Sequence, residues 1–111
     1  MILEPEKQDC AESISHRLTK TRAWRENLST QYPDDERNLR AAASLAELAK
    51  EAAALSDETW EELKPFYKFD CFLWREAVSL TARRVGFQYG RATFPFLVRN
   101  LIRVLSSSNA A

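Results

Sequence analysis

Glycine is nearly missing from this chain, with two in 111 residues, and proline is limited to four. A turn-rich β fold needs many more of both, so their scarcity points away from one. Cysteine occurs only at Cys10 and Cys71, too few for a disulfide framework, and both thiols are expected to be free. The single histidine, His16, has no second metal ligand at helical spacing: Cys10 is six residues away and on another face, and there is no Glu-x-x-His pair. Nor does it meet a nucleophile and an orienting acid in a recognisable triad. Ser13, three residues back, is expected to make a surface hydrogen bond. No run approaches the ~18 apolar residues of a membrane span. The opening Met-Ile-Leu-Glu-Pro-Glu has neither the basic start nor the apolar stretch of a signal peptide, so the cytoplasm is the expected compartment. With no catalytic set, metal set or phosphate-cradling loop in view, the expectation is a non-enzymatic protein without a cofactor.

What the chain does contain is helix. Between about Ala11 and Gln31, Ile14, Leu18, Thr21, Arg25, Leu28 and Tyr32 recur at steps of three and four, with Trp24 at the edge of the stripe. Pro33 closes that helix. Asp34, Asp35 and Glu36 suit the positive end of a second helix starting at Asp34 or Asp35. Its broad, alanine-rich face from Leu39 to Leu55 predicts a close-packed seam, with Leu39, Ala42, Leu45, Leu48, Ala52 and Leu55 turned to the first and fourth helices. Ser56 reads as the N-cap of a short third helix, with Leu55 and Trp60 in staple positions, and Pro65 follows soon after Leu63. Phe66, Tyr67 and Phe69 form an aromatic connector. Asp70 reads as the cap of a fourth helix, with Phe69 and Trp74 stapled, and Gly86 fits the left-handed position past its end. Thr93 reads as the cap of a fifth, on which Arg99 and Arg103 share a face one turn apart. The reading is a single all-α domain over residues 1–111, a compact bundle of about five helices with polar, flexible ends at 1–10 and 106–111.

Charge is balanced overall but uneven along the chain. Residues 1–74 carry fifteen acids against ten Lys or Arg, whereas residues 75–111 carry Glu76 alone against six arginines. Such a basic end can steer a polyanion; equally, the two ends can neutralise each other in a folded protein. The carboxylates Glu58, Glu61 and Glu62 are expected to be a solvated face near a helix start. Twelve aromatic residues are many for a small bundle, and any that stay exposed would mark an interaction surface.

Within residues 79–105, the run Ala82-Arg83-Arg84-Val85-Gly86-Phe87, a turn, and then Phe94 resembles the helix-turn-helix of AraC-type regulators. The resemblance implies that Ala82, Val85, Gly86, Phe87 and Phe94 pack, while Gln88, Arg91 and Thr93 lie near a DNA groove. Arg83, Arg84, Arg99 and Arg103 would then join Arg91 on phosphates. Phe94 stands one residue too far from Gly86 for that pattern. A wider resemblance rests on Ala23-Trp24-Arg25, Pro33-Asp34-Asp35, Arg37-Asn38, Arg40-Ala41-Ala42, Leu45-Ala46-Glu47-Leu48-Ala49, Trp60 and Val85-Gly86-Phe87-Gln88. It is similar to a family of small bacterial proteins, mostly alphaproteobacterial, which implies a standalone helical domain and no particular activity. Two functional classes follow. The first is a module acting through protein–protein contact, with a homodimer as one form of it. The second is a DNA-binding regulator using residues 79–105.

Overall fold

Two long helices pair along their length and the rest of the fold is built on them. The computed structural model describes the backbone of residues 5–86 and 92–109 and the side chains of all but the last two of these. Among the described residues there are five helices and no strand: α1 (Pro5–Gln31), α2 (Arg37–Ala53), α3 (Asp57–Leu63), α4 (Phe72–Arg84) and α5 (Phe94–Asn109). On α1 the buried positions Ala11, Ile14, Leu18, Thr21 and Arg25 advance by alternating steps of three and four. On α2, Asn38, Ala41, Leu45, Leu48 and Ala52 do the same. Matched stripes of this kind zip two antiparallel helices along their length. The α1–α2 hairpin is accordingly the largest contact in the fold, and α4 packs on α1 and α5. The chain is only 22 Å thick along its shortest axis, about two helix diameters.

Local chemistry explains most boundaries. The Ser56 hydroxyl accepts the Thr59 N–H at 3.2 Å and starts α3. The Thr93 hydroxyl accepts the Phe96 N–H at 3.3 Å and starts α5. Each satisfies one of the donors that a helix start leaves unpaired. Gly86 leaves α4 with φ +86°, a region that costs other residues roughly 1–2 kcal/mol. Its missing side chain matters twice, because a Cβ there would stand 2.5 Å from the Ala41 Cβ. The alanine-rich seam is therefore real at this point: α2 approaches the end of α4 so closely that neither residue can grow.

Several boundaries and faces differ from the sequence reading. Helix α1 begins at Pro5, not Ala11, with Cys10 fully buried and Lys7 paired with Asp57 of α3. The first turns are held by the core instead of fraying. Helix α5 likewise runs through the polar stretch to Asn109. Helix α2 begins at Arg37, after the three acids; Asp35 takes both the Arg37 N–H and its guanidinium, which holds the Asp35 carboxyl down at about 2. Asp70 does not cap α4. It adopts φ 51°, Cys71 takes the N-cap position, and the Asp70 carboxylate turns to Arg75. The Phe69–Trp74 staple is absent, since Trp74 is buried while Phe69 is 77% exposed. Leu39 is 60% exposed, because the stripe that meets α1 passes through Asn38 and Ala42. The second neighbour of α2 is α5, not α4.

Among the described residues one charged side chain is buried in the core. Arg25 is fully buried. Its guanidinium donates to the Asn38 side-chain oxygen at 3.2 Å and to the main-chain oxygens of Arg83 at 2.7 Å and Val85 at 3.1 Å. It also lies 4.9 Å from the centre of the Trp24 ring. Burial, and then the nearby Arg37, lower its pKa, while Asp35 opposes them. Arg25→Ala is expected to lower stability by about 3 kcal/mol or more, since each buried acceptor left without a donor costs ~1–3 kcal/mol. Arg25→Lys should recover little, because one ammonium cannot match a planar fork spread over three acceptors. Urea unfolding followed by tryptophan fluorescence measures both; a loss under ~1 kcal/mol for Arg25→Ala would refute this role. Gly86→Ala should cost roughly 2–4 kcal/mol from backbone strain and overpacking together. Adding Ala41→Gly should recover the packing part alone, which a double-mutant cycle reads as a favourable coupling.

Candidate interaction surface

Among the described residues no group of three or more His, Cys, Asp or Glu is placed to hold a metal ion. His16 is exposed. Ser13, its expected partner, instead accepts the indole N–H of Trp74 at 2.9 Å. That bond ties the middle of α1 to α4 and lets a large aromatic be buried with its one donor satisfied. Tyr67 stacks edge-on against Trp60 and Trp74, with ring centres 6.1 and 5.0 Å away. Burial, then the charges of Asp9, Cys10 and Glu6, push its hydroxyl up to about 12. Two of the three tryptophans and Tyr67 are thus structural.

Of the arginines singled out from the sequence, the described ones lie on two helices. Arg99 and Arg103 are exposed on α5, one turn apart. Arg83 is exposed and Arg84 half-buried at the end of α4. Thr93 serves as the cap of α5. Gln88 and Arg91 lie outside the described residues, as does Phe87. Of the positions expected to pack, Ala82, Val85 and Phe94 are buried and Gly86 is left-handed. Helix α4 ends at Arg84 and α5 begins at Phe94.

Two concavities stand out among the described residues. A groove of about 890 Å³ runs beside the outer edge of α2, between Arg37 and Arg40 at one end and Glu47 and Glu51 at the other. A smaller one of about 370 Å³ lies between His16, Asp70 and Trp74. The lining of the smaller one also includes Ser13, whose hydroxyl accepts the Trp74 indole N–H.

The feature that sequence reasoning missed is apolar and exposed. Phe72 is 64% and Leu73 52% exposed in the first turn of α4, directly after Phe69. At about 100° per residue, Phe72, Leu73 and Leu80 fall within about 60° of Glu76. The buried face of α4, formed by Trp74, Ala77, Val78, Thr81 and Ala82, lies on the opposite side. Helix α4 is therefore apolar on both sides at its N-terminal end, and among the described residues only one side is covered. The signal was present as Phe-Leu-Trp at residues 72–74: three consecutive large apolar residues cannot all face one way on a helix. Trp24, Tyr32 and Leu39 are also exposed, but they come from the α1–α2 hairpin end and not from one helical face.

Comparison with known proteins finds no matching family model, no matching curated protein and no matching solved structure. No helix among the described residues is long and apolar enough to cross a membrane.

Its place beside Phe72 and Trp74 in an apolar stretch makes Cys71 the slower thiol on the sequence alone, and the structure reverses that order. Cys10 is fully buried and Cys71 half-buried, because α1 extends to Pro5 and carries Cys10 into the core. Burial pushes the Cys10 thiol up to about 12. In the native protein one thiol per chain is expected to react quickly with Ellman's reagent, and Cys71→Ser should remove that fast phase. A fast phase that survives Cys71→Ser and disappears in Cys10→Ser would contradict the packing described.

Proposed function

We propose that this chain is a non-enzymatic helical module that works by protein–protein contact, and that the outer face of α4 with Phe69 is its docking surface. The observation that carries this reading is the exposure of Phe69, Phe72 and Leu73 side by side, on an element whose other face is locked into the core. Isolated exposed apolar residues are ordinary on soluble proteins; three large ones in five residues form a patch. Aromatic residues are enriched at the centres of interfaces because they bury much area at little cost in side-chain freedom. A surface that gained nothing by contact would carry polar residues here, as the exposed faces of α3 and α5 do.

The surface also argues for protein over nucleic acid. The outer face of α4 carries one acid, Glu76, and one base, Arg83, so it presents no net charge to a phosphate backbone.

The test is site-specific cross-linking in cells of the native host, with a benzophenone amino acid in place of Phe72 and, as control, in place of Glu61 on α3. A discrete protein adduct is expected from position 72 and not from position 61. Phe72→Ser should meanwhile change unfolding stability by less than ~1 kcal/mol, as for other exposed positions. Absence of any protein adduct at position 72 would sink the reading. So would tight, salt-dependent DNA binding by the purified chain at ~150 mM salt.

A further inference from the structure

We infer that the partner at this surface is a basic amphipathic segment of another protein. Its apolar side chains cover Phe69, Phe72 and Leu73, and a Lys or Arg on the same segment enters the concavity beside Phe69. The inference rests on the reading of α4 as a docking surface and adds the chemistry of the occupant.

The apolar patch and the concavity are one continuous surface. Phe69, exposed at the edge of the patch, also lines the concavity of about 370 Å³ between α1 and the chain leading into α4. Tyr67 and the buried Trp74 form its aromatic side. Asp9, Glu12 and His16 come from one stripe of α1, within about 60° of each other around the helix axis. Asp70 and Arg75 complete the lining and neutralise each other across 3.1 Å.

The charge left over is negative. Among the described residues no Lys or Arg pairs with Asp9 or Glu12. Glu12 accepts the neutral Gln8 amide at 3.2 Å, which leaves its charge in place. Glu76, one turn beyond Phe72 on α4, is exposed and likewise outside every ion pair of the described residues. Lys68, next to Phe69, offsets one of these three carboxylates. With His16 counted as neutral at pH 7, the rim keeps an excess of negative charge. That field reaches the aromatic side: after burial, the charge of Asp9 is the largest cause that raises the Tyr67 hydroxyl.

Apolar area beside unpaired carboxylates selects one kind of ligand. An acidic segment is repelled, and an uncharged one leaves Asp9 and Glu12 partly desolvated without partners, which costs free energy. A Lys or Arg lays its aliphatic stem along the rings while its head reaches the carboxylates, and an aromatic face adds to the attraction of the cation. A free amine would satisfy the acids but leave Phe72 and Leu73 uncovered. The basic group therefore belongs to a chain that also carries apolar residues. Because Phe69 borders both parts, that basic residue stands next to the partner's apolar anchors, and a segment of a few turns spans the whole surface.

Fluorescence anisotropy with a dye-labelled peptide tests this. The probe is a peptide of about fourteen residues with Leu and Lys at helical spacing, titrated with the full chain at ~150 mM salt. It is expected to bind with a Kd of roughly 10–100 µM, the weak end of specific association. Two versions of the probe, one with Glu in place of Lys and one with Ser in place of Leu, should each bind at least about tenfold more weakly. Phe72→Ser should weaken the Leu–Lys peptide at least about tenfold, as the loss of an aromatic anchor. Asp9→Asn combined with Glu12→Gln should weaken it at least about fivefold, whereas Glu61→Gln combined with Glu62→Gln, the same change of net charge on α3, should stay within about twofold. Circular dichroism confirms that each variant is folded. The inference is wrong if the Leu–Lys peptide fails to bind, if the Glu version binds as well, or if the α3 pair of changes costs as much as the α1 pair. Cross-linking from position 72 separates this from the reading beneath it. An adduct with a second copy of this chain, or through a segment with more acids than bases, removes the basic partner but leaves the docking surface. Absence of any protein adduct removes both.

Discussion

One buried guanidinium joins the two halves of this protein. Arg25 projects from α1 into a space closed by Asn38 at the start of α2 and by the end of α4. The carbonyls at a helix C-terminus lack intrahelical donors and carry the negative end of the dipole, so a cation placed there satisfies both needs at once. The oxygens of Arg83 and Val85 are such carbonyls. Desolvating a charge is costly, and the hydrogen bonds with the nearby indole face offset that cost only if all three elements stand in one arrangement. A leucine at position 25 would fill the space but would leave the end of α4 unanchored. The close approach of Ala41 to Gly86 follows, because the same bonds draw the exit of α4 toward the first turns of α2.

How much of this was legible depends on how local the cause is. The helices were legible because a period of three and four needs only the residues themselves. The caps at Ser56 and Thr93 and the left-handed Gly86 were legible because each is settled within four residues. Asp70 and the acids before α2 were misread for a related reason: a carboxylate near a helix start has several local partners, and a nearby arginine competes with the cap. Arg75 takes Asp70 and Arg37 takes Asp35. Arg25 was visible as a member of the α1 stripe, but its partners are 13, 58 and 60 residues away, and nothing in its neighbourhood announces them. Cys10 and Leu39 failed in opposite directions. Cys10 lies in a polar stretch that the core nevertheless draws in, and Leu39 lies on an apolar-looking stripe whose true centre is one position earlier.

The candidate surface was hidden by the same ambiguity. Aromatic residues in a small helical chain read first as core, and Trp60, Trp74 and Tyr67 are core. Phe69, Phe72 and Leu73 differ from them only in direction, and direction is decided by which side of α4 meets α1. The arginines drew attention because their uneven distribution can be counted from the sequence. The pairing of one acid with one base on the outer face of α4 appears only when Glu76 and Arg83 are seen on the same side.

Anchoring and docking are physically linked in α4. A helix of thirteen residues is barely long enough to be stable on its own in water, so it can present a docking face only if its other side is held. It is held at its N-terminal half by the Trp74 indole bonded to Ser13 and at its C-terminal end by Arg25. These two bonds come from the same helix, α1, and lie at either end of the exposed stripe. They fix the rotation of α4 about its axis, which keeps Phe72, Leu73, Glu76 and Arg83 outward. Binding by such a face does not have to include the cost of ordering the helix, and this is the main saving available to a small interface. An otherwise expensive buried arginine in a 111-residue chain is consistent with that requirement, because a fixed orientation of α4 requires directional bonds to its end.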